Sequence, residues 1–311
     1  MRRVRISAPG KIILSGEHAV VYGKPAILTA VNKRLFVSIN KSTKNEIITS
    51  ESSELTEFAR DFVLKVLGKQ KEKLKIEIFS EIPVGCGMGS SAALAVAMTT
   101  ALFKFFNRSF NKEEINEIAY EIEKKQHGNP SGGDNTISTY GGFLWYRKEA
   151  EFLKIFKPLD FNFKKLPQFV LINSGRPEET TGEMVAKVRK LYEQNKAKTE
   201  EIFNKIEKTT KQLLVAFQQG KRDLVSRMIK ENERSLESLG IVSEFAQKVI
   251  REIESVGGAA KVCGAGGTKE GSGIILGFHP TKNSLLKIAK ERNLSAFEVK
   301  LGEEGVRIEK N

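Results

Sequence analysis

The chain has 311 residues, 40% of them hydrophobic, which is long enough for two domains with buried cores and too apolar for a disordered chain. No run reaches the roughly eighteen apolar residues of a membrane span, and the basic start Met1-Arg2-Arg3 leads into a strand-like segment rather than a cleavable leader, so a cytoplasmic protein with no membrane partner is expected. The balance of 51 Lys and Arg against 38 Asp and Glu, a net +13, raises nucleic acid as a partner; however, Lys112, Lys124, Lys187, Lys198 and Lys205 alternate with Glu along helical segments without interleaved aromatics, the pattern of solvated faces, and nucleic acid is set aside.

Strand-like segments at 4–6, 12–14, 26–30 and 35–39, broken by a Gly/Glu/His loop at 16–23, predict an opening meander. Phe58, Phe62, Val63, Val66 and Leu67 recur at helical spacing and predict a helix over about 55–67. The alternation Leu74-Lys75-Ile76-Glu77-Ile78 predicts a strand that feeds the stretch Pro83-Val84-Gly85-Cys86-Gly87-Met88-Gly89-Ser90-Ser91-Ala92.

Three glycines on alternate positions let that stretch take positive φ and turn main-chain N–H groups toward an anion. The apolar helix expected over 89–106 adds unpaired N–H groups and a positive dipole end. Ser90 and Ser91 stand where a hydroxyl can cap the helix or ligate a phosphate-bound metal. Pro83 to Ala92 therefore reads as a phosphate cradle, the alternative being a tight strand-to-helix turn whose glycines serve packing.

Asn111 with Glu114 marks the start of a helix that runs to about 125, followed by ten residues of turn chemistry at 126–135. Strands are predicted at 142–146, 150–156 and 169–174, with a domain boundary between them that divides the chain into 1–165 and 166–311. The second half reads as helices over 180–218 (with a break), 222–239 and 243–256, a second glycine run at 264–267, a strand at 272–276, a helix at 284–292 and a strand at 296–301. Without βαβ regularity, the class is α+β. Cys86 and Cys263 each lie in a glycine-rich loop, far apart in sequence, and read as reduced thiols rather than a disulfide or zinc pair.

Phosphoryl transfer needs a cradle, a metal between phosphate oxygens, a positive charge and a base, and the chain offers a candidate for each. Neither GxxxxGK[ST] nor the HRD and DFG elements of protein kinases occur, so a different kinase scaffold is required. Ala8-Pro9-Gly10-Lys11, Gly16-Glu17-His18-Ala19-Val20-Val21-Tyr22-Gly23, the glycine stretch, His127-Gly128-Asn129-Pro130-Ser131-Gly132-Gly133-Asp134 and Lys261-Val262-Cys263-Gly264-Ala265-Gly266-Gly267 follow one another in order. Together they resemble the GHMP small-molecule kinases, and GEHAVVYG with HGNPSGGD is similar to the mevalonate kinase branch of that family.

The resemblance implies a two-domain architecture, with a mixed-sheet N-terminal domain and a C-terminal domain containing a ferredoxin-like element. It implies ATP-dependent phosphorylation of the primary hydroxyl of mevalonate, with Mg2+ as the metal and with dimerising relatives that make a homodimer a reasonable assembly. Asp134 matches the catalytic base, and Lys11 matches the lysine between that base and the γ-phosphate. Glu123 and Ser91, with Ser90 the other choice, match the metal ligands. His18 matches a contact on the mevalonate side, His127 is read as orienting the loop that carries Asp134, and Thr181, or its neighbour Thr180, matches an acceptor contact. Runner-up readings are a kinase for another small alcohol, such as phosphomevalonate or a sugar, and a nucleotide-binding regulator without chemistry. The third motif departs from the family's KxTGAGGGG: Cys263 replaces the threonine, and Thr268-Lys269-Glu270 lengthens the loop before Gly271. That loop normally closes over the cradle, so the departure bears on closure and nucleotide affinity more than on chemistry.

Overall fold

In the computed structural model, which describes residues 3–49, 53–128, 130–161 and 168–310, the opening meander is two long strands, β1 (Arg3–Ser15) and β2 (Ala26–Lys41). The pairs predicted at 4–6 and 12–14, and at 26–30 and 35–39, are joined because the apparent break at Pro9-Gly10 is a register shift in the ladder: Pro9 faces Arg34, whereas Lys11 faces Ala30. A bulge of this kind bends the strand without ending it. Between β1 and β2 lies a short 3-10 turn, Ala19–Tyr22.

β3 (Glu46–Ile48), α1 (Ser53–Val66) and β4 (Leu74–Ser80) follow, then α2 (Ser90–Phe105), α3 (Lys112–His127), α4 (Gly133–Tyr140), β5 (Phe143–Lys148) and β6 (Lys154–Leu159). The first sheet has the order β11-β1-β2-β4-β3, with β5 on the other part of β2 and β6 on β5; β11 is the C-terminal strand Arg307–Ile308. It is mixed because β3 runs parallel to β4 while the other pairs are antiparallel. α2 is apolar on every side and buried from Ala92 to Phe103, packed between β1, β2 and the helices α1 and α3. Leu94, Val96, Met98, Leu102 and Phe103 are almost completely removed from water, each contributing roughly 1.5–3 kcal/mol of hydrophobic stabilisation. The cradle at the start of α2 is thus mounted on a helix fixed on all faces.

The stretch 126–135 is not all turn, since α4 begins at Gly133, and Asp134 stands in its first turn. One tertiary bond anchors it, Ser138 Oγ donating to the Pro9 carbonyl at 2.6 Å, while Thr136 Oγ1 bonds back to the Gly132 carbonyl one turn earlier at 2.6 Å. The side chain of His127 and residue 129 lie outside the described residues, as do residues 162–167, where the domain boundary is expected.

The second half contains β7 (Phe169–Asn173), α5 (Thr181–Gln194), α6 (Lys196–Gln219), α7 (Arg222–Ser238), α8 (Glu244–Ser255), β8 (Ala259–Val262), β9 (Ile274–Phe278), α9 (Lys282–Glu291) and β10 (Ala296–Val299). Its antiparallel sheet has the order β10-β7-β9-β8, and reading β7, β8, β9 and β10 as first to fourth gives 4-1-3-2 with helices between the first and second and the third and fourth strands, the ferredoxin-like arrangement. β3 and β11 are absent from the sequence reading, and so is β8. Its Lys261 is fully buried, which breaks the apolar pattern a short core strand usually shows.

Candidate active site

The bulge in β1 turns the Lys11 backbone toward the glycine stretch, where its N–H donates to the Met88 carbonyl at 2.9 Å. Its side chain, 4% exposed, runs beneath the stretch and ends 3.1 Å from Asp134 Oδ2. Gly89, the N-cap of α2, lies where these groups meet. With φ 72° it adopts a conformation that L side chains rarely take, and a Cβ there would stand 2.9 Å from Lys11 Cγ and 3.7 Å from Asp134 Oδ2. Gly87, at φ 85°, is held against the third glycine loop, since a Cβ would come within 2.9 Å of the Cys263 carbonyl oxygen.

Glu123 projects from the last turn of α3 and is 2% exposed, hydrogen-bonded to Ser91 at the start of α2. Burial, and secondarily the charge of Asp134, push its carboxyl up to about 8; the Ser91 hydrogen bond and Lys11 act in the opposite direction. A hydroxyl and a carboxylate are hard oxygen donors, and magnesium takes one or two such protein ligands together with waters and phosphate oxygens. Ser91 and Glu123 therefore fit that ion.

His18, in the loop after β1, has φ 58°, a costly conformation for a residue with a Cβ. Its Nε2–H donates to the Ala265 carbonyl at 3.1 Å. Burial holds the imidazole down at about 4, with that hydrogen bond in opposition, so the ring is neutral at pH 7. Next to it, Glu17 is buried in an ion pair with Lys261, whose Nζ also donates to the carbonyls of Ile13 at 3.2 Å and Val262 at 2.8 Å. Asn232 Nδ2 donates to the other Glu17 oxygen at 3.2 Å. The Gly16–His18 loop and the third glycine loop are thereby joined by two adjacent ties, one ionic and one neutral.

Lys11, His18, Ser91, Glu123 and Asp134 line one cavity of about 350 Å³, together with Gly87 and Gly89. Val84, Gly85, Met88 and Ser90 also line it, whereas Pro83, Cys86 and Ala92 do not. Cys86 is turned away, its carbonyl accepting from Ile274 N at 3.0 Å, and Ala92 faces the packed interior of α2. Thr180 is the N-cap of α5, in a reciprocal capping box with Glu183, which leaves Thr181 to face the cavity. Val20, Val21 and Val185 supply apolar wall that the sequence reading did not assign; Thr181 and Val185, four residues apart on α5, carried the helical signal for one shared face. Asn135 was also missed. Its amide donates to Asn116 at 3.1 Å (carbonyl) and 2.7 Å (Oδ1), leaving its own Oδ1 without a donor among the described residues.

The arrangement can hold a polyphosphate, a divalent cation and a hydroxyl in one place. Residues 55–142 match the family model described as the GHMP kinases N terminal domain. A mevalonate kinase of Archaeoglobus fulgidus is 36% identical over 97% of this chain and 99% of its own length. The chain belongs to the mevalonate kinases of the GHMP kinase family. Another mevalonate kinase, of Thermococcus sibiricus, is 31% identical over 99% of this chain and 98% of its own length. The fold is that of solved mevalonate kinases: the L. major enzyme in complex with R-mevalonate superposes with a TM-score of 0.82 at 22% identity, covering 96% of this chain and 95% of that one. The Methanococcus jannaschii mevalonate kinase gives 0.80 at 24% identity, with coverages of 97% and 99%. Among the described residues no helix is long and apolar enough to cross a membrane.

Proposed function

We propose that this chain transfers the γ-phosphoryl group of ATP to the primary hydroxyl of mevalonate, giving ADP and 5-phosphomevalonate, with Asp134 as the base. The observation that carries the reading is the convergence of the Asp134 carboxylate and the Lys11 ammonium, 3.1 Å apart, at the mouth of an amide-lined cradle. The triphosphate rests against the N–H groups of the glycine stretch and the positive end of α2. The acceptor hydroxyl, oriented by His18 and Thr181, attacks Pγ; the bond from Pγ to the β-bridging oxygen breaks, ADP leaves, and the hydroxyl proton passes to Asp134. A positioned base of this kind contributes about 10²- to 10⁴-fold. Lys11 offsets charge as it builds on the transferring group. Ser91 and Glu123 are the residues that would hold magnesium, which when bound neutralises charge on the β- and γ-phosphates.

A regulator without chemistry has no use for three ionisable side chains, Lys11, Glu123 and Asp134, converging on one cavity. Both cysteines are buried free thiols, which supports the cytoplasm as the working compartment. The test is a panel of acceptors with ATP consumption as readout. Mevalonate is expected to be turned over well ahead of phosphomevalonate and galactose; preferential turnover of either of those reassigns the acceptor, and ATP binding without turnover of any revives the regulator.

A further inference from the structure

The residues that lengthen the third glycine motif do not hang free. Thr268 bonds to Glu179 through both its backbone N–H, at 3.3 Å, and its hydroxyl, and Lys269 Nζ meets Glu178 Oε2 at 2.7 Å. Behind these contacts, Ser272 N donates to Ser174 Oγ at 3.0 Å, Ser174 N to the Gly273 carbonyl at 3.0 Å, and Gly273 N to the Gly175 carbonyl at 3.0 Å. Gly267 lies so close to Pro177 that a Cβ would stand 2.8 Å from its ring. The segment 174–179, which leads into Thr181 on the acceptor side, is therefore held against the segment 267–273.

The other face of that body touches the cradle. A Cβ on Gly264 would stand 3.2 Å from Gly87 Cα, a Cβ on Gly273 would stand 2.7 Å from the Cys86 carbonyl oxygen, and Ile274 N bonds that same oxygen. One bonded piece thus borders the glycine stretch with one edge and leads into Thr181 at the other. A ligand that draws either edge inward moves both, and such coupling is reciprocal by thermodynamic necessity.

We propose that Glu179 and Thr268 are positioning residues that lock the acceptor turn to the third glycine loop, so that ATP and the acceptor each tighten the other's binding. This rests on the kinase reading above. Neither side chain touches the reacting atoms; Glu179 acts through Thr180 and Thr181 immediately after it, and Thr268 through the loop that includes Gly264 and Ala265.

The test measures the Kd of ATP by fluorescence titration, with and without saturating mevalonate, for the wild type, Glu179→Ala, Thr268→Val, Thr268→Ser and the double variant Glu179→Ala/Thr268→Val. Wild type is expected to gain about tenfold in ATP affinity when mevalonate is present, within the usual range of such couplings. The gain should fall below about twofold in Glu179→Ala and Thr268→Val, persist in Thr268→Ser, and be no smaller in the double variant than in the single ones, since both members of one contact are then gone. An undiminished gain in the single variants, or a wild type with no gain, overturns the proposal. Mevalonate that neither binds nor turns over in wild type is the failure of the functional reading instead. The lock is then read from ATP affinity alone, where it predicts weakening of about fivefold in each single variant without further loss in the double; unchanged or additive values overturn it. Thr268→Val keeps the backbone bond to Glu179 and serves if Glu179→Ala does not fold.

Discussion

Lys11 and Asp134 stand far apart in the sequence and meet with Nζ 3.1 Å from Oδ2, the lysine almost wholly buried and the aspartate a third exposed. The asymmetry suits their proposed roles. The cation is fixed from below by the backbone bond from Lys11 to Met88, while the carboxylate keeps an open side toward the cavity where a hydroxyl can approach.

Replacing the cation tests half of that pair. Lys11→Met keeps most of the buried stem and removes the charge, so kcat is expected to fall by about two to three powers of ten, as when a single group that stabilises the transition state is lost. Steady-state kinetics at saturating ATP and mevalonate read it directly; a kcat within a factor of three of wild type would remove Lys11 from the chemistry.

Glu123 is expected to matter for the metal rather than for the fold. Glu123→Gln retains the shape and the capacity to bond Ser91 but loses the charge, and the Mg2+ concentration for half-maximal turnover should rise at least about tenfold. Direct Mn2+ binding, followed by its paramagnetic resonance in the presence of nucleotide, should weaken in parallel. Unaltered metal affinity in that experiment means that another residue holds the ion.

The buried, neutral His18 predicts an acid-sensitive component of stability. Its folded value of about 4 lies below the ordinary 6.5, so its contribution is complete above pH 6.5 and is lost as the pH falls through 4. At about 1.36 kcal/mol per pH unit that gap corresponds to on the order of 3 kcal/mol. Urea unfolding at several pH values should show His18→Asn losing correspondingly less stability than wild type between pH 6.5 and 4. Parallel curves for the two proteins would mean that the imidazole charges without cost where it lies.

The cradle was legible in the sequence because glycines at 85, 87 and 89 have few other reasons to alternate, and all three adopt positive φ. The capped start at Asn111 was legible for the same kind of local reason, one side-chain oxygen meeting one backbone N–H. What could not be read locally was set by tertiary contact. Pro9-Gly10 looks like the end of a strand, yet β2 and the Met88 carbonyl hold the chain through it. Gly133-Asp134 looks like a turn, yet the bond from Ser138 to the distant Pro9 carbonyl anchors it within α4. Ala259-Ala260-Lys261-Val262 looks too polar for a core strand until Glu17, from the far end of the chain, supplies the partner its lysine requires. Glu123 shows no distinguishing neighbours in sequence, and only its burial beside Ser91 separates it from the solvated glutamates of the same helix.

The most direct test of the account is Asp134→Asn, assayed for turnover of mevalonate and, separately, for ATP binding. A kcat lower by about two to four powers of ten is expected, with the ATP Kd within about threefold of wild type, since the amide keeps the volume of the side chain but cannot take up the hydroxyl proton. Near-normal turnover in that variant would contradict it.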